Sequence, residues 1–133
     1  MTGISGYVGS HVGLVLLKEG IFNVRGTVRD PNNAAKLAPL RKAYGELFDK
    51  VEFVKADLLD PASMTAAIAG STYVIHIASP VVIEVPRDPM SLIGPAIEGT
   101  MAVMKAAKAA GVKRVCMTSS TAAITYMDAA DKP

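Results

Sequence analysis

The chain is short of the residues that would staple, export or anchor it. Among 133 residues Cys116 is the only cysteine. That excludes a disulfide framework and a cysteine-rich metal site, and it points to a reducing compartment. The two histidines, His11 and His76, have no carboxylate or cysteine at metal-ligand spacing, so no metal is expected. Neither sign of charge dominates: 14 Lys and Arg against 12 Asp and Glu leave a net +2, which calls for neither nucleic acid nor an anionic membrane. The uncharged stretch 61–83 is broken by Gly70-Ser71-Thr72 and by Ser79-Pro80. It falls short of the roughly 20 continuous apolar residues that a membrane span needs. The start, "MTGISG", has neither the basic nor the apolar segment of a signal peptide, so a cytoplasmic location is expected.

Half of the residues are apolar, enough for one compact domain with a real core. Val8, Val12, Val15 and Leu16 recur at helical spacing before Gly20, which predicts a helix over 6–19 with those residues on its packed face. His11 is expected to pack within it. "FNVRGTV", "VEFVKA", "STYVIHIA" and "KRVCMTS" read as strands. A helix over 34–48 is expected after the first of these, weakened by Pro39 and Gly45. A short one follows the second, capped by Asp60 with Pro61 at its first position. A long one, beginning at Pro89 or Pro95 and ended by Gly111, precedes the last strand. Strict alternation of strand and helix predicts an α/β fold, a parallel sheet covered by helices on both faces. Cys116, His76 and the pair Ser119-Ser120 fall on or at the ends of strands. Burial of the thiol, a hydrogen-bonded core imidazole and backbone satisfaction are their ordinary roles. Met101, Val103 and Met104 read as packing surface of the long helix, whose Ala- and Gly-rich face could also meet a second copy.

The glycines of "TGISGYVG" are spaced three and three: Gly3, Gly6 and Gly9. Glycines so placed before a helix permit a tight turn, close approach of backbone N–H groups to a pyrophosphate, and close packing of helix on sheet. The positive end of the helix dipole then faces the phosphates. Such a turn normally follows a buried strand, yet only Met1 and Thr2 precede it here. Twenty residues past Gly9, where NAD-binding folds usually carry an acid for the ribose hydroxyls, stands Arg29. A guanidinium there pairs with the 2′-phosphate of NADP, which a carboxylate would repel.

With "VRGTVRDPNN", "KADLLD", "HIASP", "AIEGT" and "VKRVCMTSS" following in order, the chain resembles the extended short-chain dehydrogenase/reductases, most of all the dihydroflavonol reductase and cinnamoyl-CoA reductase group. The likeness covers the first 40% or so of a typical member, and it implies a Rossmann-type doubly wound parallel sheet that binds NADP. Carried over, Gly3, Gly6 and Gly9 line the pyrophosphate, with Tyr7 and Val8 as backbone donors. Arg29 and Lys36 hold the 2′-phosphate, and Asp57 and Leu58 flank adenine. Ala78, Ser79, Pro80 and Thr118 lie along the ribose and nicotinamide, while Ser120 matches the catalytic serine.

The resemblance implies an oxidoreductase that reduces an aldehyde, ketone or thioester carbonyl, or oxidises the corresponding alcohol, with a tyrosine transferring the proton and a lysine four residues later lowering its pKa. None of Tyr7, Tyr44, Tyr73 and Tyr126 has such a lysine. The expectation is therefore that 1–133 is a partial NADP-binding domain without the central first strand or the C-terminal substrate lobe, inactive and poorly stable by itself. Two alternatives stand beside it. One is a nucleotide-sugar epimerase or dehydratase, disfavoured by Arg29; the other is a non-catalytic nucleotide-binding or interaction module.

Overall fold

In the computed structural model, residues 1–80, 86–121 and 123 are described. The elements alternate as α1 (Tyr7–Glu19), β1 (Val24–Val28), α2 (Ala34–Tyr44), β2 (Val51–Lys55), α3 (Pro61–Ile68), β3 (Tyr73–His76), α4 (Met90–Ala109) and β4 (Arg114–Met117). Local chemistry accounts for most boundaries. The Asn33 side chain accepts the Lys36 N–H at the start of α2, and Asp60 accepts those of Ala62 and Ser63 at the start of α3. Gly45, with φ +54°, ends α2 four residues before the expected boundary, and a 3₁₀ segment Gly45–Lys50 replaces its last turn. Pro39 and Pro95 both lie inside helices.

Among the described residues all strand pairing is parallel, but it falls into two pairs. β1 runs beside β2 from Val24 opposite Val51 to Val28 opposite Lys55, and β3 runs beside β4 from Tyr73 opposite Arg114 to His76 opposite Met117. Met1 and Thr2 lie between the pairs. The Met1 ammonium donates to the Arg25 carbonyl, the Thr27 N–H donates to the Met1 carbonyl at 3.0 Å, and the Thr2 N–H donates to the Ile75 carbonyl at 2.9 Å. The spatial order is thus β2, β1, Met1–Thr2, β3, β4, the arrangement of a doubly wound sheet with two residues at its centre.

Side-chain alternation along the strands assigns two cores to opposite faces. Val24, Val28, Val51 and Phe53 meet Leu17, Leu37, Leu40 and Phe48 on the α1–α2 side. Val54, Ala56 and Val74 meet Met64, Ile68 and Val103 on the α3–α4 side. The apolar face of α1 is only partly the expected one: Leu16 packs against the core and Val12 is half-buried. Val8 and Val15 are about half exposed, and the buried positions are Gly9, Gly13 and Leu17, because the two glycines pack closely against the glycine turn, Ile4 and Tyr44. His11 is exposed rather than packed. Cys116 is exposed as well, since β4 has a neighbour on one side only among the described residues. Val103 is fully buried, as a packing role requires, whereas Met101 and Met104 lie on the outer face of α4.

Candidate functional site

Parallel strands send all their C-terminal ends to one edge, and the loops that carry the candidate residues gather there. The glycine turn follows Thr2, Arg29 follows β1, Asp57 and Leu58 follow β2, Ala78–Pro80 follow β3, and Thr118 and Ser120 follow β4.

The turn is built by contacts that only hydrogen permits at Cα. Gly3 has φ +71°, and a Cβ on it would lie 2.8 Å from the Ala78 nitrogen. A Cβ on Gly9 would lie 1.9 Å from the Gly3 carbonyl oxygen. The Gly6 N–H donates to the Gly3 carbonyl at 3.0 Å, and Gly6 is the N-cap of α1 with no side-chain cap. The first bond within the helix runs from the Ser10 N–H to the Gly6 carbonyl at 2.8 Å. The N–H groups of Tyr7, Val8 and Gly9 therefore point out of the first turn without helical acceptors, at the positive end of the dipole. This cradle fits a pyrophosphate, and a side chain at Gly9 would destroy it.

Lys36, on the first turn of α2, shares a cavity of about 140 Å³ with Ser5, Gly6, Tyr7 and Ser10, so the structure brings the lysine to the glycine turn. Tyr44 ties the end of α2 to α1, donating its hydroxyl to the Ser10 carbonyl at 2.8 Å; burial raises its pKa. Arg29 is exposed just beyond β1 and does not line that cavity. Among the described residues its guanidinium has no ion-pair partner. The Asp57 carboxylate accepts the Leu59 N–H at 3.0 Å and so closes its own turn, while the Ser63 hydroxyl bonds to the Asp57 backbone. Leu58 packs against α4, where a Cβ on Gly99 would stand 3.0 Å from its own. Ser79 is exposed and Pro80 half-buried. The Thr118 N–H donates to the His76 carbonyl at 3.0 Å, and the exposed Ser120 accepts the Ala123 N–H through its carbonyl at 3.1 Å. Tyr126 lies outside the described residues.

Thr2 and His76 carry contacts at the site that composition and spacing do not reveal. Both are buried, and the Thr2 hydroxyl lies 2.8 Å from His76 Nδ1. The same oxygen accepts the N–H groups of Ile77 and Ala78, each at 3.1 Å. The only sequence sign is the placement of His76 in an apolar strand, which says that the imidazole has a partner without saying which.

A parallel α/β sheet with a glycine turn at its C-terminal edge defines a Rossmann-type nucleotide-binding domain. The chain belongs to the NAD dependent epimerase/dehydratase family, whose pattern it matches over residues 1–132. It is 41% identical to dihydroflavonol 4-reductase of Hordeum vulgare over 125 residues, covering 93% of this chain and 35% of that protein. It is 42% identical to cinnamoyl-CoA reductase 1 of Petunia hybrida over 128 residues, covering 96% of this chain and 36% of the other. Among solved structures, the yeast methylglyoxal/isovaleraldehyde reductase complexed with NADPH superposes with a TM-score of 0.75 at 26% identity, over 92% of this chain and 36% of that one. The chain thus spans a little over a third of the length of these relatives.

Proposed function

We propose that residues 1–133 form the cofactor-binding part of an NADP-dependent oxidoreductase acting on a small-molecule carbonyl or the corresponding alcohol. The observation that carries this reading is the pairing of an anion cradle at the glycine turn with Arg29 at the end of β1, a position where a carboxylate would favour NAD. Lys36, beside the same turn, adds a second cation within reach of a phosphate. NADP supplies the hydride chemistry when bound.

The residues of this chain bind and orient. The first-turn N–H groups of α1 and the dipole behind them hold the pyrophosphate. Arg29 and Lys36 take the 2′-phosphate. Asp57 and Leu58 shape the adenine side, and Ala78, Ser79, Pro80 and Thr118 border the ribose and nicotinamide. The Ser120 hydroxyl hydrogen-bonds the substrate oxygen. The relatives named for dihydroflavonol and cinnamoyl-CoA reduction support a carbonyl substrate over a nucleotide sugar.

Calorimetric titration with NADPH and NADH tests the reading. NADPH is expected to bind at least tenfold tighter, and Arg29→Asp to abolish or reverse that preference. Equal preference before and after the change would remove the case for NADP. No tyrosine of the sequence is followed four residues later by lysine. The 133-residue chain is therefore expected to show no steady consumption of NADPH with an aldehyde or ketone. Turnover that Ser120→Ala abolishes would overturn that expectation.

A further inference from the structure

The Thr2 hydroxyl is the hub of a small buried network with a fixed sense of donation. A hydroxyl has one proton to give and two lone pairs to accept with. The N–H groups of Ile77 and Ala78 can only donate, and both reach Thr2 Oγ1 at 3.1 Å. Its acceptor capacity is then filled, so the single hydroxyl proton goes to the remaining neighbour, His76 Nδ1 at 2.8 Å. Nδ1 must be an unprotonated acceptor, which leaves the ring proton on Nε2. Burial of His76 lowers its pKa and keeps the ring neutral.

The network is joined directly to the turn. Thr2 precedes Gly3, whose Cα lies so close to Ala78 that a Cβ would meet its nitrogen at 2.8 Å, and the carbonyl of Gly3 accepts the Gly6 N–H and lies against Gly9. The backbone of Ile77 and Ala78 is in turn the start of the loop carrying Ser79 and Pro80.

We propose that His76 is a positioning residue for the nucleotide site: as the neutral Nε2–H tautomer it orients the Thr2 hydroxyl, which holds the glycine turn against the loop after β3. The role in nucleotide binding rests on the cofactor reading above; the hydrogen-bond network does not. Without an acceptor at Nδ1 the hydroxyl has no buried partner for its proton and loses its fixed sense of donation, so its hold on two backbone groups at once weakens.

The test compares wild type with His76→Asn, whose side-chain oxygen can stand where Nδ1 stands, and with His76→Phe, which keeps ring bulk without an acceptor. Long-range proton–nitrogen spectra of the wild-type chain are expected to show Nδ1 unprotonated and Nε2 protonated. Exchange of the Ile77 and Ala78 amides is expected to quicken about tenfold in His76→Phe relative to the amides of β3, and to stay near wild type in His76→Asn. NADPH affinity should follow the same order, falling about tenfold in His76→Phe and less than threefold in His76→Asn. A proton on Nδ1, or exchange at Ile77 and Ala78 that does not distinguish Phe from Asn, would overturn the network. Protected amides with no NADPH binding by wild type would overturn the cofactor reading and the nucleotide role while leaving the network established. NADPH affinity equal in all three proteins would overturn the positioning role.

Discussion

A Cβ on Gly9 would stand 1.9 Å from the Gly3 carbonyl oxygen, a separation no Cβ tolerates, and both partners are backbone. Neither can move aside as a flexible side chain would. Gly9→Ala is therefore expected to open the turn, abolish NADPH binding and cost about 3 kcal/mol or more, the range of severe steric changes in a core. Chemical denaturation and nucleotide titration would check both parts. In the 133-residue chain with a free amine at Met1, that amine gives stability a pH dependence. Burial, with a smaller contribution from the Arg25 charge, lowers the pKa of its ammonium from 8.0 to about 6. The unfolded chain then binds more protons than the folded one between pH 6 and 8, so stability rises with pH across that window. With Met1 retained, the gain expected from pH 6 to pH 8 is about 2 kcal/mol. Urea unfolding at the two pH values should show it, and acetylation of the amine should flatten the profile. Loss of stability below the ordinary histidine range has a separate source in His76, whose lowered pKa acts in the same direction.

At the scale of elements, Arg25 ties β1 to the helix beyond its neighbour. Its Nε donates to Glu52 at 2.8 Å across the β1–β2 pair, and Nη1 donates to the carbonyls of Ala67 and Ala69 at 3.2 and 2.7 Å. Those carbonyls end α3, where the helix dipole is negative and acceptors lack intrahelical partners. The two ends of Arg25 differ in worth. Glu52 is well exposed, so Glu52→Gln should cost less than about 1 kcal/mol. Arg25→Met keeps much of the stem but leaves the last carbonyls of α3 without their donor, and a loss of about 1–3 kcal/mol is expected. A double-mutant cycle would show whether the helix end or the ion pair carries the larger share; a dominant Glu52 term would contradict this assignment.

Across the whole molecule, the segment Met1–Thr2 joins the two strand pairs, Met1 hydrogen-bonding to β1 and Thr2 to β3. The alternation of the strand faces leaves the Arg25 and Ile75 N–H groups directed to the same side as Met1 and Thr2, at the level just before Met1. A strand buried on both faces would add ladder bonds there and bury three or four large apolar side chains, each worth roughly 1.5–3 kcal/mol. That is on the order of 5–10 kcal/mol, comparable to the stability of a typical domain. Extending the chain before Met1 by about five Val- and Ile-rich residues is therefore expected to raise the melting temperature by more than 10 °C and to tighten NADPH binding more than any single substitution. A 133-residue chain that already melts cooperatively near 60 °C as a monomer, and gains nothing from the extension, would contradict this account of the sheet.

The alternation of elements was legible because apolar periodicity, Asn33, Asp60 and the glycine turn are local signals, set within a few residues of where they act. The family likeness was legible for the same reason, since its motifs are strand ends and turns. What faced what was not. Valines at helical spacing marked a side of α1 that the structure buries only in part, because Gly9 and Gly13 pack against the glycine turn, Ile4 and Tyr44 by lacking side chains, and periodicity scores bulk. The pairing of Thr2 with His76 and the reach of Arg25 to α3 join residues that are 74 and more than 40 positions apart. The sequence by itself determined the element order and the backbone geometry of the glycine turn. Only the tertiary structure decided which groups hold that turn in place, because hydrogen bonds between distant segments depend on the parallel register and leave no periodic trace in the chain.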